Sequence, residues 1–320
     1  MRESVRRAVT ARSPLRRRAQ ESRREELGTC VVYGNCQASA LRIMLDASPG
    51  FSAAFQTVYV PAVHEITEET LAEVRAAVAA ASLFVTQPVR HGYHGFPVGS
   101  EEIADYAAAS CRTVTIPALY YEGLYPYQVY VRDQSGAVVS APLSIYHDVR
   151  FLYCAAKGWN TAGAVRWLTK WTPAPESIRT LAEQAQSRLE KYEESLDVQV
   201  SSRLLNRALH GRAFYTINHP TDAGLMEVVV GLHHVLDFPH SRMGVDRELL
   251  GEIQTPLEPS VIAALDLGAT ARKDWIIQGE LLSMKDLVSA HLGWYRENPG
   301  CVAAGLAQHE LRLSLLGLGV

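Results

Sequence analysis

The sequence predicts an α/β fold, in which a doubly wound, flavodoxin-like parallel sheet has a mainly helical C-terminal half packed on it. Short apolar strands alternate with helical segments between residues 28 and 120, the pattern of right-handed crossovers in a parallel sheet. The later residues read mainly as helix, and no long Gly/Ser linker separates them from the first part. The chain of 320 residues is 48% hydrophobic, which is enough for a sizeable core.

The predicted strands are short apolar runs, each followed by a turn or a polar side chain. The first run, 29–33, ends at Gly34, and the second, 56–60, ends at Pro61. The third covers 83–86, and the fourth, 113–116, ends at Pro117. Runs of this kind are typical of strands that are buried on both faces of a parallel sheet.

Three helices are predicted between these strands. Residues 38–47 have apolar side chains at helical spacing and stop at Ser48-Pro49-Gly50. Residues 67–81 are rich in Ala and Glu, with acidic residues in the first turn, where the helix dipole favours them. Residues 100–110 form the third helix, with Ser100 as its N-cap.

The second half of the chain has a different character. Residues 120–144 are aromatic and loop-like, and from His147 onward the pattern is mainly helical. Residues 177–209 form one long amphipathic stretch, 214–217 a last short strand, and 222–236 and 284–295 further helices. We therefore expect a tail over 1–27, an α/β core over 28–146, and a helical part over 147–320 that packs with the core as one unit. The later helices either form a homodimer surface or cover the sheet.

Composition excludes several classes of function. A net charge of −3 does not suit a nucleic-acid-binding protein, and no uncharged apolar stretch reaches the 18 residues that favour a transmembrane helix. The five cysteines are scattered without a Cys-x-x-Cys pair, and no helical His pair suits a metal, so we expect neither a disulfide framework nor a metal site. This cysteine usage indicates a reducing compartment, and we expect a cytoplasmic protein.

The N-terminus is basic. Residues 1–24 contain nine arginines, opposed only by Glu3 and Glu21, and no apolar run follows them as a signal peptide would require. The simpler interpretation is a solvated tail. The alternative is a patch that touches an anionic surface, such as a membrane leaflet or a polyphosphate.

The motif Gly34-Asn35-Cys36-Gln37 lies between the first predicted strand and the first predicted helix. Ligands of open α/β sheets bind outside the carboxyl ends of the strands, so this turn is a candidate site. A cysteine at a helix N-terminus is expected to have a lowered thiol pKa, and nearby amide groups of Asn35 and Gln37 could receive an oxyanion. The alternative is that Cys36 is a small buried filler and Gly34 a simple turn residue.

Polar side chains follow the other predicted strands at the same edge. Gln87 could serve as a further amide donor, and Arg90 and His91 could meet a phosphate. Each of these residues alone is more often an ordinary loop residue, but together they favour a ligand site. The remaining members of this set are His64, Tyr120 and Tyr121.

A strand that runs into Gly-Asn-Cys-Gln and then a helix resembles the start of the WcbI family of polysaccharide-biosynthesis acetyltransferases. Three further features of the sequence resemble that family and occur in the same order along the chain. They are Gln87, the segment Tyr146-His147-Asp148, and the segment 214–220, which ends in Asn218-His219-Pro220. The resemblance spans roughly residues 28–236.

The resemblance implies an SGNH-hydrolase-like fold, binding of coenzyme A (CoA) or acyl-CoA, and acyl transfer to a sugar hydroxyl. Cys36 occupies the place of the SGNH serine, and Gln87 is the nearest match to its asparagine. The usual histidine of a late Asp-x-x-His corresponds to His240, which follows a predicted helix directly. These departures leave open which histidine is the base and whether Cys36 acts covalently.

A thiol nucleophile needs an imidazole within hydrogen-bond reach, oriented by a carboxylate or a carbonyl. We rank His219 first, because it follows a predicted strand and precedes a proline, with Asp222 or Asp148 to orient it. His147 ranks second and His240 third; the other candidates are His64 and His91.

The sequence thus predicts an acyl-CoA-dependent acyltransferase with a sugar or another small hydroxyl- or amine-bearing acceptor. Cys36 is the nucleophile or a positioning thiol, and His219 is the general base. Arg90, His91 and Tyr121 would contact the pantetheine-phosphate arm. The alternatives are an acyl-ester or thioester hydrolase with the same residues, and a non-catalytic module that binds CoA or sugar.

Overall fold

Four parallel strands form the central sheet of the computed structural model, which describes residues 27–210, 213–239 and 245–319. Their order is β2-β1-β3-β4, so the chain reverses direction across the sheet beside β1, and a ligand crevice is expected there. All four predicted strands are confirmed, with ends shifted by a few residues. The strands are β1 (Gly28–Tyr33), β2 (Phe55–Val58), β3 (Leu83–Thr86) and β4 (Arg112–Thr115).

The sheet is covered on both faces, as the doubly wound class requires. Cys30 and Val32 of β1 belong to the larger apolar core, which the sheet shares with the C-terminal half. Val31 and Tyr33 belong to a second core on the opposite face. This alternation follows from the two-residue period of a strand, and it confirms burial of β1 on both faces.

Four helices accompany these strands. The first, predicted over 38–47, begins two residues earlier, because the Asn35 side chain caps it, and its apolar residues Leu41, Met44 and Leu45 are buried. The predicted helix 100–110 is shorter in the structure, because the N–H groups of Tyr106 and Ala107 bond three residues back and turn the chain towards β4. The helices are α1 (Cys36–Asp46), α2 (Pro49–Ser52), α3 (Glu68–Ala79) and α4 (Ser100–Ala104).

The aromatic segment that the sequence predicts as loop contains short strands. One of them, β5, pairs antiparallel with β8, so that Val129 lies opposite His147. This pairing joins residues of the predicted core, 28–146, to residues of the predicted helical part, 147–320. The boundary between these two parts stays a prediction. The strands of the segment are β5 (Gln128–Val129), β6 (Val131–Arg132), β7 (Val138–Val139) and β8 (His147–Asp148).

The C-terminal half is mainly helical, as predicted. The amphipathic stretch 177–209 is two helices and not one, because the buried Glu193 carboxylate accepts bonds from the N–H groups of Val200 and Ser201 and holds a loop between them. The helices are α5 (Val149–Ala156), α6 (Thr161–Leu168), α7 (Pro175–Glu193), α8 (Ser201–Leu209), α9 (Asp222–Val235), α10 (Pro259–Leu265), α11 (Met284–Glu297), α12 (Pro299–Gln308) and α13 (Glu310–Leu315).

Two β features of this half differ from the prediction. The predicted strand 214–217 is a loop closed by one bridge between Phe214 and Pro220. A small antiparallel sheet is present that the sequence reasoning missed, although the Gln278-Gly279 turn between two apolar runs is a hairpin signal. Its strands are β9 (Ile253–Gln254), β10 (Trp275–Ile277) and β11 (Glu280–Leu282).

The helical half packs on the sheet through one shared core. Val85 and Val114 of the sheet lie in the same buried cluster as Leu225 and Val228 of α9. Within 27–210, 213–239 and 245–319, every helix is too short or too polar to cross a membrane. The basic N-terminal tail up to residue 26 and the candidate base His240 lie outside the described residues.

Candidate functional site

The turn after β1 has a backbone conformation that requires glycine. Gly34 has φ +154°, a value that L residues rarely adopt. A Cβ added at Gly34 would lie 2.1 Å from Oε1 of Gln87, which directly follows β3. The backbone N–H of Val63 donates to the Gly34 oxygen at 2.8 Å, which joins the turn to the segment after β2. The carboxyl ends of three neighbouring strands therefore meet at this turn.

Asn35 is the N-cap of α1. Its Oδ1 accepts a hydrogen bond from the Gln37 N–H at 2.9 Å, and its own N–H donates to Oε1 of Gln87 at 2.9 Å. The Asn35 side chain is half-buried, and its Nδ2 donates to no other described residue. The side-chain amide of Asn35, one of those predicted near the thiol, is therefore available to a ligand.

The side chains of Gln37 and Gln87 are used by the turn itself. Gln37 is buried, and its Nε2 donates to the oxygens of Leu119 and Asn218 at 2.8 and 2.9 Å. Its Oε1 accepts from the Leu119 N–H at 2.8 Å. Gln87 is also buried, and its Nε2 donates to the Pro117 oxygen at 3.3 Å. The structure thus corrects the prediction that these two side chains face a substrate: they hold the turn in place.

Cys36 is the first residue of α1 and is half-buried. Burial raises the pKa of the Cys36 thiol above its ordinary value, and the carboxylates of Glu65 and Glu252 raise it further. Hydrogen bonds from the backbone N–H groups of Gln37 and Cys36 lower this pKa, but by less than burial raises it. The predicted lowering of this pKa by the helix N-terminus is therefore wrong, because desolvation outweighs the amide groups, and the thiol is protonated at neutral pH.

A row of three tyrosine rings begins beside this thiol. The Tyr146 and Tyr130 ring centroids are 5.5 Å apart, and Tyr130 stacks on Tyr120 at 6.3 Å. Burial raises the pKa values of both Tyr130 and Tyr146, and the Cys36 sulfur contributes a smaller electrostatic effect to each, so it lies within electrostatic range of both hydroxyls. The row ends at the surface, where the Tyr120 hydroxyl donates to Glu122 at 3.0 Å.

Tyr146 also connects the thiol to the loop that contains His219. Its hydroxyl donates to Oδ1 of Asn218 at 2.5 Å and lies 3.0 Å from Oγ1 of Thr216. Its ring meets the His219 ring edge to face at 6.2 Å. His219 therefore contacts the same tyrosine whose hydroxyl lies within electrostatic range of Cys36.

His219 is held by its backbone. The His219 N–H donates to Oγ1 of Thr216 at 3.0 Å, and its oxygen accepts from the Tyr215 N–H at 2.7 Å. The Nδ1 atom is buried without a hydrogen-bond partner among the described residues. Burial lowers the pKa of His219 to about 4, so the imidazole is neutral at neutral pH. A buried polar atom without a partner is costly, and its presence here suggests a group reserved for a ligand or a proton.

Neither carboxylate that was predicted to orient His219 contacts it. Asp222 accepts a hydrogen bond from the Leu249 N–H at 3.0 Å. Asp148 forms a buried ion pair with Arg150 at 2.6 Å and caps α5. In these contacts both carboxylates stabilise the fold. Among the described residues, neither forms the predicted pair with His219.

His147 is also in a structural setting. It is 1% exposed, with Nδ1 at 2.8 Å from the Tyr295 hydroxyl and Nε2 at 2.9 Å from the Val139 oxygen. Both ring nitrogens are occupied, so His147 cannot accept a proton from Cys36 without losing one of these bonds.

The residues predicted to bind the cofactor are dispersed. Arg90 is exposed, with its guanidinium 5.7 Å from the centre of the Tyr93 ring. His91 is exposed and pairs with Glu102 at 3.0 Å. Tyr121 is only 6% exposed and packs against Phe214, so this side chain belongs to the core, and its contact with a cofactor stays a prediction.

The sequence reasoning missed several neighbours of the thiol. Tyr130 and Glu252 are remote from Cys36 in the sequence, and no local pattern marks either of them. Asn218 stands beside His219 in a segment that was singled out, yet its contact with Tyr146 depends on the tertiary fold. Over the part of the chain that the structure describes, no cluster of three His, Cys, Asp or Glu side chains could hold a metal ion.

Comparison with known proteins identifies a family and a solved structure of similar fold. The family model described as "Polysaccharide biosynthesis enzyme WcbI" matches residues 29–241. A solved structure of WcbI, described as a novel polysaccharide biosynthesis enzyme in a native form without a disulfide bond between CoA and one of its cysteines, is similar in fold. It has 20% identity and a TM-score of 0.78, and the match covers 91% of this chain and 99% of that one. No curated protein matches the chain.

Proposed function

Because the chain belongs to the WcbI family of polysaccharide biosynthesis enzymes, we propose that it transfers an acyl group, acetyl in the first instance, from acyl-CoA to a sugar or another small hydroxyl- or amine-bearing acceptor. The observation that carries the proposal is a half-buried thiol at the carboxyl edge of the sheet, with a neutral, unpartnered imidazole that contacts the same tyrosine, Tyr146. The description of the WcbI structure, which links CoA to a cysteine, supports the choice of donor.

In the first step of the proposed reaction, neutral His219 accepts the proton of the Cys36 thiol. The sulfur attacks the thioester carbonyl, the carbon–sulfur bond to CoA breaks, and His219 returns the proton to the departing CoA sulfur. In the second step the acceptor hydroxyl gives its proton to His219 and attacks the acyl carbon. The bond to Cys36 breaks and the thiol regains its proton, so that an ester and free CoA are the products.

Two hydrogen-bond donors remain that could stabilise the oxyanion formed in each of these steps. They are the backbone N–H of Cys36, which bonds to no other described residue, and Nδ2 of Asn35. The Gln37 N–H is already given to Asn35. A fixed donor in a site with little water contributes more than it would in solution, so the loss of the Asn35 amide should slow the reaction.

We propose that the pantetheine arm of CoA lies along the tyrosine row. The row leads from the thiol to Glu122, which pairs with Arg188 and Arg312. The Arg188 side chain is 55% exposed, and together the two guanidinium groups exceed the charge of the single carboxylate. This end of the row therefore suits the phosphates of CoA. A phosphate contact of Arg90 and His91 stays a prediction.

One observation favours a second candidate, the non-catalytic module that binds CoA or sugar. The Cys36 thiol is protonated at neutral pH, and no described carboxylate orients His219. Such a module would be stabilised by CoA without any turnover. Hydrolysis, with water as the acceptor, uses the same steps and differs only in releasing free acid when no acceptor is present.

The test is incubation with isotopically labelled acetyl-CoA, followed by mass spectrometry of the Cys36 peptide and by measurement of transfer to sugars. Cys36→Ala is expected to abolish the acyl adduct, and His219→Ala to slow its formation. Cys301→Ala and His234→Ala are the controls, since Cys301 is half-buried and His234 is an exposed residue of α9. Unchanged transfer rates in folded Cys36→Ala and His219→Ala would refute the proposal.

A further inference from the structure

The Asn218 side chain lies at the end of a buried chain of hydroxyl groups. Thr216 and Tyr146 are 0% and 1% exposed, so their hydroxyls bond within the protein. Oγ1 of Thr216 accepts from the N–H groups of His219 at 3.0 Å and Asn218 at 3.4 Å, which uses both of its lone pairs. The Thr216 hydroxyl therefore donates, either to the Tyr146 oxygen at 3.0 Å or to Oδ1 of Asn218 at 3.3 Å.

These bonds fix which end of the Asn218 amide faces the protein. The Tyr146 hydroxyl donates to Oδ1 of Asn218 at 2.5 Å. Because Thr216 has no free lone pair, it cannot accept from an amide N–H, so the amide oxygen faces the two hydroxyls. The Asn218 side chain is half-buried, and its Nδ2 is not enclosed and donates to no described residue. Both N–H groups of this amide are therefore open to a ligand.

A second contact holds Asn218 beside the Cys36 turn. Nε2 of Gln37 donates to the backbone oxygen of Asn218 at 2.9 Å, and the backbone N–H of Gln37 donates to Oδ1 of Asn35 at 2.9 Å. Gln37 is 1% exposed and directly follows Cys36. One buried residue thus joins two asparagines. In both of them the fold uses the amide oxygen, while the amide nitrogen donates to none of the described residues.

We infer that Asn218 is a further catalytic residue of the proposed reaction, and that its Nδ2 donates a hydrogen bond to the thioester carbonyl oxygen as that atom becomes an oxyanion. The inference rests on the proposed function. Asn218 precedes the base His219 and is bonded to the residue that follows the thiol, so its amide belongs to the same site as both reacting groups. The hydroxyl chain orients the amide before substrate binds, and donors fixed in this way stabilise developing charge without reorganisation.

The first test separates kcat from KM. Asn218→Asp keeps an oxygen that accepts from Tyr146 and removes the N–H groups, and Asn218→Ala removes them without adding charge. We expect kcat for transfer from acetyl-CoA to fall about 10²–10³-fold in both, as for loss of one oxyanion donor, with the Kd of CoA unchanged. Unchanged kcat in both folded variants, or a loss that appears only in KM, overturns the inference.

The matched control for this substitution is Asn160→Asp. Asn160 is exposed and is the N-cap of α6, where its side chain accepts from the Gly163 N–H at 2.8 Å. Aspartate serves equally well at an N-cap, so stability and kcat should both stay at the wild-type value.

The second test needs no turnover. Acetyl-CoA labelled with ¹³C at the carbonyl carbon is bound to Cys36→Ala, which forms no acyl adduct, and infrared difference spectroscopy measures the carbonyl stretch. A hydrogen bond from Nδ2 weakens this bond, so adding Asn218→Ala should raise the stretching frequency, whereas adding Asn160→Asp should not. Equal frequencies with and without Asn218→Ala overturn the inference.

The two tests also separate this inference from the proposed function. If the wild-type protein binds acetyl-CoA without cleaving it, the proposed acyl transfer is wrong, while the carbonyl frequency still decides whether Asn218 contacts the thioester. Cleavage at an equal rate in wild type and in Asn218→Ala leaves acyl transfer standing and removes Asn218 from it. A wild-type protein that does not bind acetyl-CoA contradicts both.

Discussion

The side-chain oxygen of Gln87 accepts a hydrogen bond from the backbone N–H of Asn35 at 2.9 Å. Gln87 directly follows β3 and Asn35 precedes α1, so one bond links two neighbouring strand ends at the candidate site. Because Gln87 is buried, this bond is shielded from water and fixes the turn that presents Cys36. The position of the thiol therefore depends on a side chain about fifty residues away in sequence.

This relationship predicts the effect of Gly34→Ala. The substitution places a methyl group 2.1 Å from Oε1 of Gln87, at a backbone angle that alanine rarely adopts. We expect a loss of about 1–3 kcal/mol or more in the free energy of unfolding, with loss of CoA-dependent chemistry. Urea denaturation measures the first and the labelled-acetyl assay the second.

The matched control is Gly293→Ala, in the middle of α11, where a Cβ meets nothing closer than 3.9 Å. It should be neutral or slightly stabilising, since alanine favours helix. An unchanged denaturation midpoint for Gly34→Ala would contradict the structure of the turn.

The buried Arg150 supplies a second prediction. Its guanidinium pairs with Asp148 at 2.6 Å and with Glu258 at 2.8 Å, and it lies 3.9 Å from the centre of the Tyr127 ring. Arg150→Met leaves the Asp148 carboxylate buried without its partner, so we expect a loss of about 3–5 kcal/mol. The exposed Arg132→Met should stay within about 0.5 kcal/mol of wild type. A small effect of Arg150→Met would show that Asp148 is solvated or protonated.

Stability should fall in mild acid. Burial lowers the pKa of both His147 and His219 to about 4, below the value near 6.5 of an unfolded chain. Between these values the unfolded chain binds more protons, so stability is present above about pH 6.5 and is lost as the pH falls towards 4. Melting temperatures measured across that range should decrease steadily. His147→Asn should flatten this slope, and an unchanged slope would mean that His147 is not neutral in the fold.

The pH dependence of catalysis tests His219 separately. A base that titrates near pH 4 stays neutral and competent well below the ordinary range of histidine. After correction for unfolding, kcat/KM for acetyl-CoA is expected to hold its value down to about pH 5 on the acidic side. An acidic limb centred near 6.5 would instead indicate that a solvated histidine, and not His219, is the base.

The proposed path of CoA predicts an effect of Arg188→Ala. Loss of a charge-assisted hydrogen bond to a phosphate, worth about 1.5 kcal/mol, corresponds to about a tenfold rise in Kd. Calorimetric titration with CoA measures it. Arg179→Ala, on the same helix and 50% exposed, is the matched control. If Arg90→Ala weakens CoA binding and Arg188→Ala does not, the phosphates lie at the loop after β3 and the tyrosine row is not their route.

The sequence was sufficient to locate the four strands of the central sheet, because apolar runs bounded by Gly and Pro have few other stable placements. It also located the Cys36 turn, since Asn35 is a strong N-cap and Gly34 precedes it. The sequence did not predict the short strands β5 to β8, because a strand of two residues is too short to show a hydrophobic period. The stretch 177–209 was predicted as continuous because the break depends on the distant backbone contacts of Glu193.

Local sequence thus determined which residues form the sheet and which turn presents the thiol, because propensity and capping act over a few residues. Only the tertiary structure decided the chemistry of that thiol. Its pKa depends on burial and on Glu252, and its neighbours Tyr146 and His219 come from remote segments. The same long-range packing assigned Asp148 and His147 to structural contacts and left Nδ1 of His219 without a partner. Desolvation and charge act through space, so no pattern along the chain could have specified them.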